Sequence, residues 1–141
     1  MLMVMTIIAG CAGRVPTLGV ESDRLTPCPD SPNCVNSQSQ NDDEHFITPI
    51  KYTGTRQAAR ERLLEIIHNT RRTRILRSTE KYIRVEYTSL FFRFVDDVEF
   101  YFPEEPVIHV RSASRLGYSD LGANRKRVED IRKRFSGADD H

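Results

Sequence analysis

No tryptophan occurs in this chain, and lysine is scarce: of 21 basic residues only Lys51, Lys81, Lys126 and Lys133 are lysine, the rest arginine. That bias favours forked pairing with carboxylates or bound anions over diffuse attraction. An excess of positive charge is lacking too, because 20 Asp and Glu leave a formal net charge of +1. The balance argues against nucleic acid as a partner, since such proteins normally carry a basic excess. There is no internal repeat, no low-complexity tract and no apolar run long enough to span a bilayer as a helix. Catalytic motifs are missing as well. No Gly-x-Ser-x-Gly elbow occurs, the four histidines are scattered, and none pair at metal-ligand spacing. Hydrolase, transferase and redox templates find no match, and neither a metal nor a cofactor is implied.

What is present fits one domain, since 141 residues with a 38% hydrophobic share allow an ordinary core. The chain opens on an apolar stretch ending Ile8-Ala9-Gly10-Cys11. This resembles the bacterial lipobox, in which the cysteine is lipidated and becomes the new N-terminus. No Lys or Arg precedes the apolar run, a departure from the charged start of a secretory signal. The reading is a lipoprotein signal over 1–11, a tether over 12–27, a globular domain over 28–136 and a frayed tail over 137–141. It places the protein on the periplasmic side of the cell envelope, with the membrane as a partner through lipid on Cys11. Two cysteines then remain, in Cys28-Pro29-Asp30-Ser31-Pro32-Asn33-Cys34. The prolines and turn-forming residues can fold this segment back on itself, and in an oxidising compartment a Cys28–Cys34 disulfide is expected. Free thiols, or zinc held with His45 or Asp30, are the alternatives.

Periodicity gives an α+β fold: an antiparallel sheet of about four strands packed by one or two helices. Ala59, Leu63, Ile66 and Ile67 recur at helical spacing over 56–68, with Thr55 as N-cap. Strands are expected at 73–77, at 82–88 with Ile83, Val85 and Tyr87 on one face, at 91–102, and at 107–114. A short extended piece is expected at 46–50. On the 91–102 strand Phe92, Phe94, Val98, Phe100 and Phe102 share the apolar face, while Arg93, Asp97, Glu99 and Tyr101 share the other. The next strand must add Ile108 and Val110 to the apolar face. Two registers do so: one sets Glu99 opposite Arg111, the other Asp97 opposite Arg111. Asp96 falls on the apolar face and needs a partner, Arg115 or Arg125, unless the strand bulges or the residue sits wet at the rim. A last helix is expected from near Asn124, the N-cap, to Phe135, with Val128, Ile131 and Phe135 as its stripe.

The densest polar stretch joins that last strand to that last helix. Residues 111–125 hold Arg111, Arg115 and Arg125, Asp120, Asn124, three serines and two glycines. Together with Cys28 to Val35 and Asp96-Asp97-Val98-Glu99-Phe100, this RSASRxGxxDxGxNR pattern resembles a bacterial and plastid family catalogued as domain of unknown function 1499. The resemblance spans about Cys28 to Arg134 in three motifs. It implies frequent export or membrane association but no activity. Three roles compete for the stretch. Arg111, Ser112, Ser114, Arg115, Asp120, Asn124 and Arg125 would bind a small anionic ligand, with Asp96, Asp97 and Glu99 as acidic partners. In the second role the same groups form a structural Arg–Asp network in an envelope scaffold that meets a protein partner through an apolar patch near Leu90-Phe91. Acid–base chemistry through Asp96 and Asp97, beside Ser112 or Ser114, ranks last.

Overall fold

The computed structural model describes residues 13–137. Cys11 and the expected signal over 1–11 lie outside the described residues, as does the tail beyond Gly137. Eight strands and two helices follow in the order β1 (Val20–Glu21), β2 (Arg24–Leu25), β3 (Cys34–Asn36), β4 (Ile50–Lys51), α1 (Arg56–His68), β5 (Thr73–Ser78), β6 (Tyr82–Thr88), β7 (Val95–Tyr101), β8 (Val107–Ser114) and α2 (Ala123–Ser136). The main sheet runs β3-β8-β7-β6-β5, with β4 also paired to β8, and every named pairing is antiparallel. β1 and β2 form a separate hairpin. No helix among the described residues is long and apolar enough to cross a membrane.

The α+β class and the two helices agree with the sequence, but the sheet is larger than four strands. The added strands are two or three residues long, too short for an alternation to be visible. Within the 12–27 stretch, expected to be a tether, most described residues are exposed, but Val20 and Leu25 of the β1–β2 hairpin sit against Tyr82 and Tyr101. Tyr101 also donates its hydroxyl to Asp23 Oδ1 at 2.7 Å.

Both helices cover one face of the sheet. Ala59, Leu63 and Ile67 of α1 and Val128, Ile131 and Phe135 of α2 pack on Ile83, Val85, Val98, Phe100, Ile108 and Val110. Thr55 caps α1 as expected, its hydroxyl accepting from Ala58 N at 3.1 Å. Asn124 does not cap α2, which begins one residue earlier. The cap position is Gly122, with a left-handed φ of 80°, and the Asp120 carboxylate accepts from Gly122 N and Asn124 N. Asp120 thus places an acceptor on the donors of the first turn.

The strand expected over 91–102 starts only at Val95. Phe92 and Phe94 therefore leave the apolar face and are exposed, 73% and 46%. Arg93 adopts a left-handed φ of 56°, which no strand tolerates, and Ser89 closes the loop by bonding to Phe94 at both backbone and side chain.

Cys28 and Cys34 form a disulfide. Its sequence separation of six closes a small loop. Loop-closure entropy then gives the crosslink about 2 kcal/mol. Reduction is expected to lower unfolding free energy by about that amount and leave the fold intact. Denaturant titration with and without a thiol reductant measures it, and a loss of all native far-UV signal on reduction would contradict it.

Candidate functional site

Strand alternation divides the Arg111–Arg125 stretch between two faces. Ser112 and Ser114 of β8 point to the helices, whereas Arg111 and Ala113, with Arg115 just beyond, point to the opposite face. Residues expected to share one pocket are thus separated by the sheet.

On the face away from the helices, cross-strand rows bring charges together. Arg84, Glu99 and Arg111 lie side by side on β6, β7 and β8, so charge alternates across the row. This is the first of the two expected registers, with Glu99 opposite Arg111. In the next row Glu86 faces Asp97. Two carboxylates directly opposite would repel. Arg115 resolves the conflict by clamping both: Nη2 donates to Glu86 Oε1 at 2.8 Å and to Asp97 Oδ1 at 2.9 Å, and Nε donates to Asp97 Oδ2 at 2.7 Å. Arg84 adds a bond to Asp97 Oδ1 at 2.8 Å, and Arg74 reaches Glu86 from the edge strand at 2.9 Å. Tyr82 donates to Glu99 Oε1 at 2.7 Å, while Arg111 reaches Glu99 Oε2 at only 3.4 Å.

Apart from Arg74, these groups are withdrawn from water; the Asp97 side chain is 2% exposed and that of Glu99 0%. Burial alone would push the Asp97 carboxyl up, but bonds from Arg115 and Arg84 outweigh it and hold Asp97 below its ordinary range. Glu86 is lowered too, the guanidiniums of Arg74 and Arg115 overcoming its burial. Glu99 goes the other way. Its burial dominates, and Tyr82 and Arg111 offset it only in part. Burial likewise lowers Arg111, whose Nε is buried without a hydrogen-bond partner.

On the helix face a second set forms around Asp96. Its partner is Arg127, at 2.6 Å, and neither Arg115 nor Arg125 as the sequence suggested; nor does the strand bulge there. Arg127 Nη1 also donates to Ser112 Oγ and Asn124 Oδ1, and Ser112 donates to Asn124 Oδ1 at 2.6 Å. Asn124 is fully buried, and its Nδ2 reaches Asn33 O, Ser114 Oγ and Asp120 Oδ2. Asn33 Nδ2 in turn donates to Gly117 O. The Cys28–Cys34 loop is thereby knotted to the 111–125 stretch. Arg125 joins neither set: it binds the carbonyls of Glu44 and Phe46 at the surface. Arg127 was the residue sequence reasoning missed. The signal was its position three residues after Asn124 and four before Ile131, on the border of the buried helix stripe.

The family described as "Protein of unknown function (DUF1499)" matches residues 24–135. No curated protein and no solved structure matches the chain.

The two sets make different demands on stability. Asp97→Asn leaves Arg84 and Arg115 facing a neutral amide in a buried setting and is expected to cost about 3–5 kcal/mol. Arg125→Ala removes exposed carbonyl bonds and is expected to cost no more than about 1.5 kcal/mol. Asp97 stabilises at neutral pH, above its ordinary value of 3.8, and that contribution is lost as pH falls through its lower folded value. The Asp97→Asn protein should therefore lose less stability on acidification than the parent. Thermal melts of the three proteins from neutral to acid pH test this, and equal costs for both substitutions would contradict it.

Proposed function

The chain belongs to the DUF1499 family, which carries no assigned activity, so its role must be read from its own surfaces, and we propose that it is a lipid-anchored scaffold domain of the cell envelope that lies against the membrane by one end of its sheet. The carrying observation is what surrounds Gly13. A Cβ placed on Gly13 would fall 3.0 Å from Leu116 Cγ and 3.2 Å from Arg115 Cβ, so the chain enters beside the 115–122 loop. Cys11 lies two residues upstream in the sequence.

That end of the sheet has an unusual surface. Asp96 pairs with Ser114, and Arg115 N bonds to Val95 O, which sets the 115–122 loop beside the 89–94 loop. Of the nine large hydrophobic side chains exposed among the described residues, only Leu76 lies away from these loops and the 13–15 segment. Phe91 is 85% exposed and Leu121 97%. Phe92 and Phe94 stack on each other, with ring centroids 5.6 Å apart, and so form a small apolar platform. Arg93 lies between them in sequence and is exposed, and exposed Arg71, Arg72 and Lys126 line a cleft that also includes Ser89 of the same loop. Exposed aromatic side chains with cations nearby suit the interface of an anionic membrane, where the rings enter the headgroup layer and the arginines meet phosphates. Three non-glycine residues at this end, Arg72, Arg93 and Leu121, hold left-handed φ angles. Such conformations cost roughly 1–2 kcal/mol each and persist where the surrounding fold imposes them. On this reading the charged face of the sheet is scaffold, because its own carboxylates already answer Arg111 and Arg115.

Phe91→Trp introduces the sole tryptophan, in a full chain that also carries Cys11→Ser to remove the lipid. Its emission is expected to shift to the blue when vesicles containing anionic lipid are added, and less so with zwitterionic vesicles. Mass spectrometry of the protein from its native envelope should show acyl mass on Cys11. The proposal fails if emission is unchanged by vesicles and Cys11 carries no lipid, or if the blue shift follows protein concentration alone, which would signify self-association through the same loops.

A further inference from the structure

A cleft of about 300 Å³ opens between the α1–β5 turn, the end of β6 and the first turns of α2. Its size is at the lower end of the range for small-ligand sites, roughly 300–1,000 Å³. Its walls carry five cationic side chains and one carboxylate, Asp130. Two of the cations are already answered. Lys126 Nζ sits 2.7 Å from Asp130, and Arg127 is held from below by Asp96. The other three, Arg71, Arg72 and Arg134, pair with no carboxylate among the described residues. Arg72 spends only its Nε on Thr88 O, and Arg134 only Nη1 on Thr70 Oγ1. Arg71 makes no side-chain hydrogen bond among the described residues.

Tyr87 supplies the independent observation. It forms part of the cleft wall, is 8% exposed, and its hydroxyl is buried with no hydrogen-bond partner. A buried donor left unmade costs free energy and points to a missing acceptor. Burial pushes this phenol up to about 12, so at neutral pH it carries its proton and is a donor. Arg127 and Arg134 are the charges that act on it, and the Arg127 guanidinium lies over its ring, 4.9 Å from the centroid. One acceptor-rich anion would therefore answer both the unpaired guanidiniums and the phenol.

We infer that this cleft is an anion site for a phosphate group, gripped by Arg71, Arg72 and Arg134 and bonded by the Tyr87 hydroxyl. Forked guanidiniums match phosphate oxygens in geometry and charge. The source is either free phosphate or the headgroup of a phospholipid. The second source rests on the membrane reading above, because Ser89 of the cleft adjoins the exposed aromatic loop. The first does not.

The test uses the full chain, with inorganic phosphate as one probe and vesicles containing a phosphomonoester lipid as the other. Phosphate at constant ionic strength, balanced by chloride, is expected to raise the melting temperature in a saturable way. Arg71→Gln should weaken that binding about tenfold, as loss of a charge-assisted bond does. Tyr87→Phe should weaken it several-fold while leaving the melting temperature in phosphate-free buffer unchanged or raised, since the hydroxyl has no partner in the fold. If free phosphate has no effect but the phosphomonoester vesicles bind in an Arg71- and Tyr87-dependent way, the headgroup is the ligand and the inference stands. If phosphate binds and the vesicles add nothing, the inference stands with free phosphate as ligand, and Phe91→Trp emission judges the membrane reading separately. If neither probe distinguishes the variants from the parent, or if Tyr87→Phe destabilises the phosphate-free protein, the inference is overturned.

Discussion

The sheet is covered on both faces, and β8 is where two incompatible interiors meet. Its even-numbered residues feed an apolar core closed by two helices. Its odd-numbered ones feed an interior of carboxylates and guanidiniums. Desolvating so many charges is expensive, several kcal/mol per ion, unless each finds counter-charge and hydrogen bonds. The row Arg84–Glu99–Arg111 supplies counter-charge by alternation of sign, with Arg111 Nε left unbonded, and the row Glu86–Asp97 is held because Arg115 reaches back across both carboxylates. Lysine could not do this. A point charge has no fork to bond two acceptors in one plane, which gives the scarcity of lysine a structural reason.

Burying that face has a consequence for the chain's beginning. The hairpin of β1 and β2 closes over Tyr82 and Tyr101, the segment near Gly13 lies along Arg115 and Leu116, and Asn36 donates to Thr26 O. The Cys28–Cys34 loop is then fastened through Asn33 to Ser114, Gly117 and Asn124. Three stretches far apart in sequence thus meet at one corner. The family motifs are the parts of that fastening: a stapled loop, a paired acidic strand and a strand-to-helix connection capped by Asp120.

Much of this was legible in the residues. Helical spacing gave α1 and the stripe of α2, alternation gave β6 and β8, and the parity of Ile108 and Val110 left Glu99 opposite Arg111 as one of two registers. What failed, failed for local reasons. Alternation at Phe92 and Phe94 looked like strand, yet it was a loop held open by Arg93 in a left-handed conformation. Strands of two or three residues at Val20, Arg24 and Cys34 carry no period to detect. The larger error was to treat Arg111 to Arg125 as a single site. A period of two sends neighbours to opposite faces, so a polar run crossing from strand to helix is divided by the sheet it belongs to. Arg127 escaped notice because its role depends on which side of α2 faces Asp96, a tertiary fact.

The near-neutral total charge hides an uneven distribution, and the ionic face explains it. Within the sheet each carboxylate of the network, Glu86, Asp97 and Glu99, is matched by at least one arginine. Among the cations that pair with no carboxylate among the described residues, Arg71 and Arg72 lie in the α1–β5 turn and Arg93 in the 89–94 loop, beside rings that the core did not take up. That end of the sheet also holds Arg72, Arg93 and Leu121 in left-handed backbone conformations, and such strain persists only where its surroundings over-determine it. Arg115 is answered within the sheet, whereas Arg71, Arg72 and Arg134 meet no carboxylate among the described residues. On the proposed reading the polar chemistry of the 111–125 stretch is scaffold, and a ligand or a membrane would act on the neighbouring loops.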